Sequence, residues 1–371
     1  MPEKLRGSAT LLIPAFAVAF MATAVLLLAI RPLAISHGLV DTPGGRKQHI
    51  GAVPIIGGVA MFGAFALSVA LVEFNPSYVP ILLAGAVLVF IGVIDDRTPL
   101  PAGVRMGAQM LVVLLVFFGA DVRIETLGNI FGFGAFGLGV LSLPITALIA
   151  ISVINAFNLV DGADGLAGTM AILALGPAAA LAGYGSFPGQ VAILGIAVTL
   201  GFLCFNFPTT HNRRIRTFMG DAGSTFVGFL AVVCITLVSQ GSEPVISPAV
   251  GLWFAALPIY DLFTCFVRRI RKGRSPFQPG RDHFHHILAR GGFSVRASLG
   301  ILTLLQVSYM GLGLVGHFSG VPEYVVFAMW AAVGLSQWML IRKVAKLARF
   351  KRRSAFVRMA MPEYDEDRRA A

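Results

Sequence analysis

Asn155, Asn158, Asp161 and Asp164 recur at intervals of three within NAFNLVDGADGLAG, directly between two long apolar runs. An amide or carboxylate at the edge of a membrane costs free energy unless it is hydrated, paired or bound to a cation. Oxygen ligands of this kind suit Mg²⁺, which keeps several waters and adds phosphate oxygens to one or two protein ligands. Whether the preceding helix continues or breaks at Gly162 and Gly165, these side chains project together on one face. A polar loop between two helices is the bland alternative.

Four further stretches carry candidate chemistry. Asp95 and Asp96 close an apolar run as GVIDDRTPLP. Adjacent carboxylates repel, and such a pair persists with a cation, a raised pKa or a general-base role; otherwise it is a solvated helix end with Arg97 as partner. Asp221 in FMGDAGS stands where a new apolar run opens, near the positive end of a helix and between small residues that leave room for a ligand. A simple N-cap is the competing reading. DTPGGRKQHIGAVPIIGG offers Arg46, Lys47 and His49 as phosphate donors, or serves as an ordinary basic loop. In RRIRKGRSPFQPGRDHFHHILARGGF, His283, His285 and His286 lie among Arg274, Arg281 and Arg290. The histidines could bind a transition metal. So many cations oppose a second divalent ion, which favours phosphate recognition.

The elements that must position these groups are membrane helices. Of 371 residues, 56% are hydrophobic and 13% charged, with a mean hydropathy of +0.81, which excludes a soluble globular chain. Backbone in hydrocarbon must close its hydrogen bonds internally, and the alternation of a β-barrel is missing, so the fold class is an all-α integral membrane protein. About eleven transmembrane helices are expected, over 8–30, 53–73, 78–94, 107–120, 138–156, 165–184, 187–206, 221–240, 248–268, 297–315 and 322–341. The first run lacks a clear small-residue cleavage site and reads as a retained helix. Residues 121–136 resemble a short β-hairpin around Gly128-Asn129. Cys204, Cys234 and Cys265 suggest neither a disulfide framework nor a thiolate metal site.

With the N-terminus outside, segments 31–52, 94–106, 156–165, 206–221, 268–296 and the tail from 342 hold 26 of the 29 Lys and Arg residues. That asymmetry places them, and the C-terminus, in the cytoplasm. It also accounts for the net charge of +11 without nucleic acid, because anionic lipids attract such loops. Residues 1–341 are expected to form one polytopic domain with those active-site loops, and 342–371 a basic tail lying as an amphipathic helix on the membrane surface. The acidic groups, Asp41, Asp95, Asp96, Asp161, Asp164, Asp221, Asp261 and Asp282, all fall on or beside the cytoplasmic side, whereas the outer loops carry no comparable set.

The ordered motifs D-x-P-x-x-R-K-x-H, P-x-x-G-G, the Asp pair, N-x-x-N-x-x-D-G-x-D-G-L, G-D-x-G-S and R-D-H-x-H-H run from Asp41 to His286. Together they resemble the polyprenyl-phosphate N-acetylhexosamine-1-phosphate transferases. The family transfers a sugar-1-phosphate from a UDP-sugar to a polyprenyl phosphate, releasing UMP, with Mg²⁺. The H-x-H-H pattern resembles the WecA/TagO-like branch, which uses UDP-N-acetylglucosamine to start cell-envelope polymers such as O antigen and teichoic acid. The phospho-MurNAc-pentapeptide branch has three consecutive histidines, a run that Phe284 interrupts here.

By position, the resemblance implies Asp221 as the principal Mg²⁺ ligand, with Asn158 as a second and Mn²⁺ as a substitute ion. Asp95 and Asp96 would deprotonate or position the lipid phosphate. Asp161 and Asp164, with Asn155, would lie near the nucleotide. Arg46, Lys47, His49, Arg281 and the three histidines would hold the pyrophosphate or amino sugar. The implied partners are a UDP-N-acetylhexosamine, undecaprenyl phosphate and membrane lipids, with a homodimer left open. The implied location is the bacterial inner membrane with a cytoplasm-facing site.

Both reactants are anionic, so the protein's main task would be to cancel charge and align the groups. An aspartyl intermediate is a second route. A transporter is the non-enzymatic alternative, though transporters place ionisable groups near the midplane of matched halves. CDP-alcohol phosphatidyltransferases also use membrane aspartates, but their D-G-x-x-A-R signature is absent, since Ala163-Asp164 follows Asp161-Gly162.

Overall fold

A computed structural model describes residues 3–41, 51–209, 215–273, 275 and 283–360, with side chains from 12 to 346. The helices in chain order are α1 (Glu3–Ser36), α2 (Gly57–Val69), α3 (Tyr78–Arg97), α4 (Ala102–Gly119), α5 (Ser142–Val160), α6 (Leu166–Ala182), α7 (Phe187–Asn206), α8 (Gly220–Ser239), α9 (Pro248–Phe254), α10 (Ala256–Ile270), α11 (Phe284–Arg290), α12 (Val295–Phe318) and α13 (Glu323–Ala360). The all-α membrane class therefore holds. Among the described residues eight helices are long and apolar enough to cross a membrane, or nine if the bent pair α9 and α10 counts as one span. The runs expected at 53–73 and 165–184 form the shorter apolar helices α2 and α6.

The most buried helix is α8, which packs against α2, α3, α5, α6 and α7. Small residues let the backbones close on its first turn. A methyl group on Gly58 of α2 would stand 2.3 Å from Gly223 N, and one on Gly92 of α3 would stand 2.3 Å from Ala222 Cα. Such close approach is how helices gain dispersion contacts where lipid removes the hydrophobic drive. Its consequence is functional, since it draws the end of α3 onto the start of α8.

Helix termini gather at two ends of the bundle. One end holds the C-termini of α1, α3, α5 and α7 and the N-termini of α8 and α12. They are tied by Arg31 to Arg216 O at 2.9 Å, Gly165 N to Asn206 Oδ1 at 2.8 Å, and Arg296 to Pro208 O at 2.7 Å. A two-stranded antiparallel sheet also lies here, β1 (Val40–Asp41) with β2 (Val53–Pro54), and Ile55 pairs onward with Phe218. The far end is tied by Tyr78 to Gln190 at 2.9 Å and by Glu323, which accepts from Asn129 N at 2.6 Å and Ala249 N at 3.3 Å.

Two expectations need correction. The single span over 248–268 is broken at Ala255 into two helices that bend by 83°. Pro258 supplies no N–H to Phe254 O and its ring opposes a continuous helix. Gln306 of α12, fully buried, replaces the lost bonds by donating to Trp253 O at 3.1 Å and Phe254 O at 2.9 Å and accepting from Leu257 N at 2.8 Å. The hairpin expected over 121–136 reduces to one bridge, Thr126 with Gly137, plus reciprocal bonds between Leu127, Gly128 and Phe136. The only named sheet among the described residues lies instead in the loop after α1. The helix expected over the basic tail is present, as the continuation of α13 past residue 342 to Ala360. Its propensity-rich Lys, Arg and Ala residues extend the helix past its apolar part.

Candidate active site

Asp221 lies in the first turn of α8, whose formal cap residue Met219 makes no side-chain cap. The missing acceptor comes from α3. Asp96 Oδ1 accepts the Asp221 N–H at 2.9 Å and Oδ2 takes the Ala222 N–H at 3.4 Å. A carboxylate is stabilised there by unpaired N–H groups and by the helix dipole. Gly220 makes the junction feasible, with φ of 71° and Asp96 Oδ2 only 2.4 Å from where a Cβ would sit. Any side chain at 220 would meet both strain and collision.

The neighbouring Asp95 takes a different set of partners. Its Oδ2 pairs with Arg105 of α4 at 3.1 Å. Its Oδ1 accepts the Leu100 N–H. The adjacent carboxylates thus diverge, one to a guanidinium and one to a helix N-terminus, which relieves the repulsion that their adjacency implies. Asp221 Oδ1 accepts from Asn158 Nδ2 at 2.8 Å, and the same amide reaches Ser224 at 3.0 Å. Asp95, Arg105, Gln109, Asn155, Asn158 and Asp221 line one recess between α3, α4, α5 and α8. Asn155 donates to Gln109 at 2.7 Å, so it forms part of that wall.

The DG segment is a turn, with α5 ending at Val160, α6 starting at Leu166 and Gly165 at φ of 76°. Asn206 pins it, accepting from Gly165 N and donating to Thr217 O at 2.9 Å. Asp164 pairs with Arg216. Asp161 has no Lys or Arg partner among the described residues. Surrounding protein pushes its pKa well above the ordinary carboxylate value, and Asp221, Asp96 and Asp164 add to the rise. Asp161 therefore sits in a field of negative potential that a divalent cation would relieve.

The histidine-bearing helix α11 closes over this turn. Gly162 lies so near His285 that a Cβ there would be 2.1 Å from Nε2. His285 is buried, its Nε2 lacks a hydrogen-bond partner among the described residues, and burial pushes its pKa down to about 3, with His286 as the next cause. It is accordingly a neutral imidazole at physiological pH. His286 packs against it, with ring centroids 4.1 Å apart and the planes tilted by 49°. His283 turns inward to Asp261 at 2.9 Å.

Asp95, Asp96, Asn155, Asn158, Asp161, Asp164, Asp221, His283, His285 and His286 are thus all found at one end of the bundle. Arg46, Lys47, His49 and Arg281 lie outside the described residues. Arg105, Gln109, Asn206, Arg216 and Ser224 were not singled out from the sequence. Gln109 carried a usable signal as an amide within an apolar helix, whereas Arg105 and Arg216 were absorbed into the count of cytoplasmic charge.

Residues 78–239, which include the recess and the DG turn, match the model of glycosyl transferase family 4. The chain is 34% identical over 341 residues to the undecaprenyl-phosphate alpha-N-acetylglucosaminyl 1-phosphate transferase of Escherichia coli strain K12, covering 90% of this chain and 92% of that protein. The chain belongs to this family. Proteins of the same name from Yersinia pestis, at 33% identity over 90% of this chain and 92% of the relative, and Haemophilus influenzae, at 32% over 91% and 98%, match across the same extent. Membership over nearly the whole chain means that the site is that of a multi-pass membrane transferase. Asp95, Asp96, Asp161, Asp164 and Asp221 all fall within the matched region, and the histidine turn lies beyond it.

The donor set fits a divalent cation of the Mg²⁺ class. Carboxylates outnumber cations, with Asp96, Asp161 and Asp221 lacking Lys or Arg partners among the described residues, and hard oxygen donors are what such an ion takes. They do not converge on a single point, which suits an ion that keeps waters and phosphate oxygens. As placed, Asn158 orients the Asp221 carboxylate through its Nδ2; ligation by its Oδ1 requires the amide to turn.

Proposed function

We propose that the protein transfers N-acetylglucosamine-1-phosphate from UDP-N-acetylglucosamine to undecaprenyl phosphate, releasing UMP and forming the lipid-linked sugar that starts a cell-envelope polysaccharide. The carrying observation is the convergence of Asp221, Asn158, the Asp95–Asp96 pair and the DG turn at one end of an apolar bundle. Whole-length identity with transferases of that name supports the choice of substrates. We read that end as cytoplasmic and the membrane as the bacterial inner membrane, which agrees with the excess of Lys and Arg in its loops. Alternation of the helix termini between the two ends favours eleven passes, with α2, α6 and the bent pair included.

Asp221, as principal ligand, would hold Mg²⁺, which would supply neutralisation of phosphate charge and polarisation of the phosphorus. Everything else is positioning. Asn158 holds Asp221 in one orientation, and Asp96 is anchored on the start of α8, so the ligand and its neighbour move as one body. Arg105 sits at the rim of the recess on α4, beside exposed apolar residues such as Val104 and Met106. A lipid phosphate entering sideways from the bilayer would meet that guanidinium first and exchange it from Asp95. Asp161 and Asp164 face the nucleotide, and the neutral His285 packs the turn that carries them. The lipid phosphate oxygen then attacks the sugar-bound phosphorus and UMP leaves.

Purified protein should release UMP from UDP-N-acetylglucosamine only when both undecaprenyl phosphate and Mg²⁺ are present. Asp221→Asn should lower the rate by about 10²-fold or more. Near-normal turnover in that variant, or transport of the UDP-sugar without UMP formation, overturns the proposal. A panel of UDP-sugars, with the lipid product weighed by mass spectrometry, fixes the sugar.

A further inference from the structure

Asp261 is the single acidic residue of α10 and is 2% exposed. Both of its oxygens point at the histidine-bearing segment. Oδ1 accepts the Phe284 N–H at 2.9 Å, and Oδ2 lies 2.9 Å from His283 Nδ1. His283 is itself buried, and its Nε2 faces Arg269 at 3.5 Å. Cys265 Sγ approaches the same Nδ1 at 3.3 Å. Asp261, Cys265 and Arg269 are spaced four apart and so share one helix face.

Two physical readings compete for this cluster. Carboxylate, thiol and imidazole atoms lie within 4.8 Å of one another, as a metal site would have them. A metal on Nδ1 would force the proton onto Nε2, which would then point a donor at the Arg269 guanidinium. It would also take Asp261 Oδ2 from its proton. The hydrogen-bonded reading matches both ring nitrogens of His283. Asp261 accepts from Nδ1–H, and Nε2 accepts from Arg269, so the imidazole bridges the Asp261 carboxylate and the Arg269 guanidinium.

We propose that Asp261 is a positioning residue, which fixes His283 as its Nδ1–H tautomer and docks α11 over the DG turn. Helix α11 has 7 residues, far too few to hold a conformation unaided. Its first backbone N–H and its cap residue are both held by Asp261. Two residues on, His285 rests on Gly162. Asp261 thus acts on the nucleotide-facing carboxylates through His283 and His285, without touching substrate. The kinetic part of this inference rests on the transferase reading above, whereas the tautomer does not.

The test uses the full-length protein in nanodiscs, labelled with ¹⁵N-histidine, with His283→Gln assigning its signal among the 7 histidines. The wild type should show His283 protonated on Nδ1 and hold no stoichiometric zinc or other transition metal. Asp261→Asn presents an amide N–H to Nδ1, inverts the tautomer, and sets Nε2–H against Arg269. It should lower kcat about tenfold, equivalent to about 1.4 kcal/mol. Adding Arg269→Gln, whose carbonyl accepts from Nε2–H, should restore kcat to within about threefold of the wild type. A merely structural role for Asp261 predicts no such rescue. Bound zinc, an Nε2–H tautomer in the wild type, or a double variant no better than Asp261→Asn each overturns the proposal. If Asp261→Asn does not fold, the wild-type tautomer and metal content still decide. Absence of transfer in the wild type would instead count against the transferase reading.

Discussion

Gly162→Ala isolates the contact between the DG turn and the histidine-bearing helix. The new Cβ would stand 2.1 Å from His285 Nε2, whereas ordinary contact begins at 3.4 Å, so the buried His285 ring or the turn beneath it must move by about 1.3 Å. Gly162 is exposed and its φ is not positive, so the backbone accepts alanine and the effect is one of spacing. Crowding of this kind costs on the order of 1–3 kcal/mol of stability. Its kinetic effect is larger, because a misplacement of about 1 Å in a positioned site costs roughly 10²-fold in rate. UMP release at saturating UDP-N-acetylglucosamine should fall by that order while the protein remains folded. Gly300→Ala, whose Cβ would meet nothing within 4 Å, is the matched control and should keep full activity. Wild-type kcat in Gly162→Ala would refute the idea that α11 docks on the DG turn during turnover.

Three further outcomes follow from the same geometry. Gln306→Leu should strip partners from Trp253 O, Phe254 O and Leu257 N, at a cost of roughly 3 kcal/mol or more; a lower apparent unfolding temperature in detergent measures it, and an unchanged one means the bend supports itself. Asp161→Asn should stabilise the metal-free protein at neutral pH while abolishing transfer, because a carboxyl whose folded pKa is raised costs stability as pH climbs above its unfolded value; a variant that melts lower refutes this. His285 is lowered to about 3, so between its ordinary value near 6.5 and that value the unfolded chain binds the extra proton, and stability is lost as pH falls through this window. His285→Asn should flatten that slope in pH-dependent melting, and an equally steep acid limb would assign it elsewhere.

Much of the site was legible in sequence because membrane cost makes polar residues conspicuous. Asp95, Asp96, Asp161, Asp164 and Asp221 each interrupt an apolar run, and no packing is needed to see that they require hydration, pairing or a cation. The alternation of apolar runs and basic loops likewise fixed the class of the fold and set the polar residues on one face. The partners of those residues were not legible. Asp96 caps a helix that begins 124 residues later, and Asn158 reaches Asp221 across 63 residues. Such pairings depend on how closely α2 and α3 approach α8, which Gly58 and Gly92 permit but do not announce.

The bend at Ala255 was hidden for a related reason. Hydropathy over 248–268 reads as one continuous span, and only Gln306, 49 residues beyond Leu257, supplies the bonds that make a break tolerable in an apolar setting. Asp261 and His283 show the same division most plainly. Sequence alone determined only that an acidic residue and a histidine cluster flank the same basic loop between apolar runs. Only the tertiary structure decided that one carboxylate spans His283 and Phe284, since hydrogen-bond direction is a property of atoms brought together in space and not of residue type or spacing.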